Sequence, residues 1–109
     1  MVTIEVKKVT GIIDKSVGLI GKKYPESILF QTRFGIHTFG LKFPIDILVL
    51  DNDRVVYVKE NLFPNRFFIW NPKYKNVIEL PQGFIKDKKI TKGSTIKLVT
   101  PLLKKTKIK

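Results

Sequence analysis

Apolar residues recur at every second position in several short stretches of this chain. Val2, Ile4 and Val6 alternate with Thr3, Glu5 and Lys7, the period of a half-buried strand. Residues 27–32 and 36–41 read as further strands, and 45–50, Ile-Asp-Ile-Leu-Val-Leu, as a central one. The turn cluster Asp51-Asn52-Asp53-Arg54 separates that run from Val55-Val56-Tyr57-Val58, which predicts a β-hairpin. Between 63 and 74, Pro64, Asn65, Asn71 and Pro72 break regularity around the apolar block Phe67-Phe68-Ile69-Trp70. A long excursion holding a short strand is expected there. Residues 77–80 form a strand stopped by Pro81-Gln82-Gly83. Residues 84–90 are a short Lys-rich piece, and 95–99 follow the turn Lys92-Gly93-Ser94 as the last strand. A short helix is expected over 16–22, with Asp14 or Ser16 as its N-cap. Short strands at close spacing predict a mainly β fold, a small barrel or strongly curved antiparallel sheet with one short helix. The expected organisation is one domain over 1–100 and a basic tail over 101–109.

Composition supports the β reading. The 109 residues include 14 Ile and 10 Val and no Ala, the residue that best favours helix. Lys outnumbers Arg 18 to 3, which resembles thermophile usage. The absence of Cys excludes a disulfide framework and thiolate zinc sites. A single His excludes a His-based metal centre. No apolar run approaches the roughly 18 residues of a membrane span, and the N-terminus carries no apolar leader. The expectation is a cytoplasmic protein away from membranes.

Charge changes the picture more. Residues 1–55 carry 8 Lys/Arg against 6 Asp/Glu, and residues 56–109 carry 13 against 3, a net of +10 within a total of +12. A basic half points to an acidic partner such as nucleic acid, or to a solvated Lys-rich surface. The segment Arg66-Phe67-Phe68-Ile69-Trp70-Asn71-Pro72-Lys73-Tyr74-Lys75 interleaves rings with cations. Single strands are held in this way, with bases on rings and cations along phosphates. Candidate nucleic-acid-binding residues are therefore Arg66, Phe68, Trp70, Lys73, Tyr74 and Lys75, with Lys104, Lys105 and Lys107 of the tail. The competing reading is that Phe67 and Ile69, or Phe68 and Trp70, plug the end of the core.

Two carboxylates, Asp46 and Glu79, sit inside apolar strands, and His37 is the only side chain of its kind. Together they make a candidate pocket, because carboxylates in unlike environments can divide acid and base work. The alternative is structural: each accepts a hydrogen bond or an ion pair from a cation such as Lys42, Arg33 or His37. No nucleophile elbow surrounds any Ser, the glycines of 35–42 miss the phosphate-loop pattern, and no dinucleotide fingerprint is present. No catalytic residue, metal ligand or cofactor is assigned.

Several motifs in order resemble the domain of unknown function 192 family, also called uncharacterised protein family 0127. Lys15-Ser16-Val17-Gly18-Leu19-Ile20 stands where the family has an Arg-x-x-Gly-Leu-Met-like element, and Ser27-Ile28-Leu29-Phe30 where it has a Gly-Met-Leu-Phe-like strand. Phe43-Pro44-Ile45-Asp46 with the following apolar strand matches its Pro-(Ile/Leu)-Asp element. Glu79-Leu80-Pro81-Gln82-Gly83 matches Glu-Leu-Pro-x-Gly. Ile20 replaces a family Met, and Gly93-Ser94 a Gly-Asp. The resemblance covers about Lys15 to Val99. It implies a small, mostly β domain, marks Asp46 and Glu79 as motif positions, and supplies no substrate. The functional expectation is a non-enzymatic binding module for RNA or single-stranded DNA. The alternative is a small-molecule or hydrolase-like site on Asp46, His37 and Glu79.

Overall fold

The computed structural model of the protein describes residues 1–8, 27–33 and 35–100. The helix expected over 16–22 and the tail cations Lys104, Lys105 and Lys107 lie outside the described residues. In chain order the strands are β1 (Val2–Glu5), β2 (Lys7–Lys8), β3 (Ile28–Gln31), β4 (Ile36–His37), β5 (Ile45–Asp51), β6 (Arg54–Leu62), β7 (Phe67–Phe68), β8 (Asn76–Pro81) and β9 (Ile96–Val99). One four-residue helix, α1 (Phe84–Asp87), precedes β9. The fold is mainly β, as the alternation predicts.

Residues 45–50 show no alternation because this strand is covered on both faces. It lies inside a five-stranded sheet ordered β2-β3-β8-β5-β6, antiparallel except at the β2–β3 edge. Among the described residues the sheet is open, with β2 and β6 at its edges, and no barrel closes. Successive side chains of a strand point to opposite faces. Leu48 and Leu50 therefore join Val55, Ile78 and Leu80 in one core cluster, while Ile45, Ile47 and Val49 join Ile28, Phe30 and Val77 in the other. The first cluster is closed by Ile4 of β1, Ile96 of β9, Ile85 of α1 and Ile90; β1 and β9 pair in parallel. The second is closed by the antiparallel pair β4–β7, with Ile36 and Phe68 packing inward beside Leu41 and Trp70.

The predicted hairpin forms at its predicted place. Asp51 pairs with Arg54, and Asn52 takes φ 57 in the turn, a conformation Asn tolerates better than most residues. The strand expected over 36–41 ends at His37. The Leu41 amide donates to the Thr38 carbonyl at 3.1 Å, and Gly40 takes φ 90, so the chain turns there. Within β6 the register slips between Ile45↔Leu62 and Ile47↔Lys59. That bulge frees the Asn61 amide from the ladder and turns it toward β5, with Asn61 at φ 56.

Candidate functional site

The three residues of the candidate pocket face three different ways: Asp46 and Glu79 point to opposite faces of one sheet, and His37 lies on the separate β4–β7 pair. Asp46 pairs with Leu80, so its side chain lies on the face that carries α1. It is fully buried, and among the described residues its partners are backbone amides and not cations. Oδ1 accepts from Asn61 at 3.0 Å, and Oδ2 accepts from Gly83 at 3.1 Å and Ile85 at 3.0 Å. The first amides of a helix have no partner within the helix, and here a strand carboxylate supplies one for Ile85. Gly83 takes φ 90 with open space around its Cα, so glycine is needed there for backbone conformation and not for room. Gln82 Nε2 donates to Asn61 Oδ1 at 2.8 Å and ties the bulge to the same turn. Both oxygens of Asp46 are thus committed, which suits a structural carboxylate better than a general base.

Glu79 faces the other way. It lies between Ile28 and Ile47 in the ladder, on the face of the second core cluster. It is 6% exposed, and among the described residues no donor reaches its carboxyl. Burial pushes its pKa up from 4.5 to about 8. His37 is on a third surface. It pairs with Phe67 across β4–β7, on the side opposite inward-facing Ile36 and Phe68. Its Nδ1 accepts from the Phe39 amide at 3.3 Å, and its ring stacks on Phe39 with centroids 5.3 Å apart. Among the described residues no three His, Cys, Asp or Glu side chains gather as a cation cage.

The aromatic-basic segment divides by parity. Phe68 and Trp70 turn inward, and Trp70 Nε1 donates to the Tyr74 carbonyl at 2.8 Å. Trp70 is 4% exposed, so its ring belongs to the core. Phe67 and Ile69 turn outward, at 67% and 70% exposure. Phe39 meets Phe67 edge-on at 5.0 Å. Buried Thr38 fixes this layer: its hydroxyl donates to the Phe63 carbonyl at 2.7 Å and accepts from the Arg66 amide at 2.8 Å. Arg66 itself is exposed, with Nη1 donating to the Asn65 carbonyl at 3.2 Å.

Lys73, Tyr74 and Lys75 converge with Arg33 on an open cleft of about 150 Å³, completed by Leu50, Asp51, Asn52 and Asn76. Arg33 Nη1 donates to the Pro72 carbonyl at 3.0 Å, and Lys73 Nζ lies 5.7 Å from the centroid of the half-buried Tyr74 ring. Arg33 in the cleft, exposed Phe39, Phe63 and Phe67 beyond it, and buried Thr38 beneath them are residues that sequence reasoning did not list for binding. The missing information was phase. An apolar block of four shows that alternate members face out, but not which pair.

The sequence pattern of the domain of unknown function 192 family, described as an uncharacterized ACR, matches residues 2–98. A UPF0127 protein of Pyrococcus abyssi (strain GE5 / Orsay) is 34% identical over 73 residues, 65% of this chain. The matched part spans 62% of that relative's length. Two crystal structures share the fold. A candidate transcription regulator of Sinorhizobium meliloti 1021 superposes with a TM-score of 0.70 at 18% identity, over 83% of this chain and 78% of its own. A protein of unknown function from Novosphingobium aromaticivorans DSM 12444 gives 0.69 at 17% identity, over 83% and 70%. The family's Pro-Ile-Asp and Glu-Leu-Pro-x-Gly elements are the two stretches that Asp46 and Gly83 join by a hydrogen bond. By its sequence, this chain belongs to the domain of unknown function 192 family.

Proposed function

We propose that this domain is a non-enzymatic module that binds RNA or single-stranded DNA, in the cytoplasm. One observation carries the reading. The two segments that build the outer layer, residues 35–44 and 63–75, contain Lys42, Arg66, Lys73 and Lys75 and no Asp or Glu, and Arg33 lies just before the first. Three of those cations meet in the cleft beside Tyr74, where only Asp51 opposes them. A surface of one sign attracts a polyanion and releases its counterions. The tail cations Lys104, Lys105 and Lys107 belong to the same reading. Asp46 has a sufficient structural role, and Asp46, Glu79 and His37 share no common space, so the alternative pocket gains nothing from the geometry.

The test is fluorescence anisotropy with a labelled single strand across a salt series. The logarithm of the binding constant should fall linearly with log salt, by about 0.7 in slope per phosphate contact. Replacing Arg33, Lys73 and Lys75 together by Gln should flatten the slope by about 2. No binding by the folded protein at low salt overturns the proposal and leaves the charge as a solubility feature.

A further inference from the structure

An exposed Phe is ordinary on a protein surface, but several on one small layer are not. Here Phe67 is 67% exposed, Phe63 52% and Phe39 42%. The rings of Phe39 and Phe67 are also held in place, and so is the backbone that carries Phe63. Phe39 sits in the turn closed by the Leu41 amide and the Thr38 carbonyl, between the His37 ring and the edge of Phe67. The Phe63 backbone carbonyl and the Arg66 backbone amide are bound to the one Thr38 hydroxyl, and Thr38 and Arg66 also share a backbone bond at 2.9 Å. Rings fixed before binding lose little freedom when a ligand arrives.

We infer that Phe39, Phe63 and Phe67 are a seat for unpaired nucleic-acid bases, so that the domain selects single strands over duplexes. The inference rests on the function proposed above and assigns the part of that surface which reads bases, not phosphates. Charge names the occupant. Every Lys and Arg of the two segments around these rings is unopposed within them, which fits a ligand that is both aromatic and polyanionic. A second copy of this chain carries the same net charge of +12 and is repelled overall. A duplex buries the faces of its bases in its own stack and offers only edges and phosphates. An unpaired base has both a free face for a ring and a phosphate for Arg66.

The experiment uses the full chain, a labelled short oligothymidylate, its abasic counterpart and a duplex of the same length. Phe67→Ala should weaken oligothymidylate binding roughly 5- to 150-fold, the range for losing one base–ring stack. The salt slope should stay the same because no charge is lost. Binding of the abasic strand, which keeps the phosphates, should not change. Phe67→Tyr should bind like the parent. Where Phe67→Ala melts early, Phe67→Leu and Phe63→Ala carry the same comparison with apolar bulk or the neighbouring strand preserved. If the parent binds single strands and all these variants bind equally well, the seat is overturned while the proposed function stands. If no strand binds, both fall. A stable dimer of the parent that Phe67→Ala dissociates would make this face a protein interface and overturn the seat. Equal affinity of the parent for strand and duplex overturns it as well.

Discussion

The Asp46 carboxylate accepts the Gly83 amide at 3.1 Å, across 37 residues of sequence, and so welds the central strand to the turn that opens α1. The same oxygen holds the Ile85 amide, and the other oxygen holds the Asn61 amide of the bulge. Asp46→Ala would leave these amides without an acceptor, the Ile85 amide in a buried site and the other two in partly buried ones. Orphaning one buried polar group costs about 1–3 kcal/mol. In a domain of this size each kcal/mol lowers Tm by roughly 4–8 °C. Thermal unfolding followed by circular dichroism should show a clear drop. A variant that melts with the parent would mean that Asp46 is not structural.

Glu79 gives a prediction in pH. Its carboxyl titrates at 4.5 when unfolded and at about 8 when folded. Between these values the native state holds a proton that the unfolded chain has released, so stability falls as pH rises. The contribution is complete below about 4.5 and lost once pH has passed 8. Its size is on the order of a few kcal/mol, because each pH unit between the two values is worth about 1.4 kcal/mol. The Lys-rich background has its own pH response, so the readout is the difference between parent and Glu79→Gln. In urea unfolding the variant should gain on the parent from about pH 5 to about pH 9. A constant difference would place the Glu79 carboxyl in water.

The hairpin and the core runs were readable because their signals are local. The order Asp51-Asn52-Asp53-Arg54 between two β-branched runs specifies its own turn. Asn52→Gly should therefore shift stability by less than about 0.5 kcal/mol in a denaturant titration. A steep loss would mean that the Asn52 side chain holds something beyond its φ of 57. The destination of Asp46 was not readable. Its three donors lie 15, 37 and 39 residues away, and one of them exists only because β6 bulges. Nor was α1 readable: four residues are too few to show a helical period. The strand phase of 67–70 depends on Gly35 and Thr38, which meet it only in the fold.

Gly35 is the tightest point of that meeting. It takes φ 107, and a Cβ there would lie 2.6 Å from the Phe68 carbonyl oxygen and 3.1 Å from Ile69 Cα. Both are backbone atoms, so no side-chain rotation relieves the clash. Gly35→Ala should cost on the order of 1–3 kcal/mol in backbone strain alone. It should also push β7 away from β4, which amide exchange would report as faster opening at the Ile36–Phe68 pair. Unchanged exchange there would show that the layer yields elsewhere.

Thr38 decides whether the outer layer is held or loose. Its hydroxyl is both donor and acceptor, at 2.7 Å to the Phe63 carbonyl and 2.8 Å from the Arg66 amide. Only a side chain with both capacities closes that bridge. Thr38→Val keeps the shape and removes the hydroxyl, leaving two backbone groups unpaired at about 1–3 kcal/mol where they are buried. Thr38→Ser keeps the hydroxyl and should restore most of the loss, less the packing of one methyl. The distinctive readout is local. In Thr38→Val the Arg66 amide should exchange faster. The Asn65 amide, which donates to the Thr38 backbone carbonyl at 3.2 Å, should exchange faster only as far as the loop as a whole moves. If Arg66 and Asn65 respond equally, the loop opens as one body. If Arg66 alone responds, the hydroxyl is a single latch. If neither responds, backbone pairing between Thr38 and Arg66 at 2.9 Å holds the layer by itself, and the latch assigned to Thr38 is wrong.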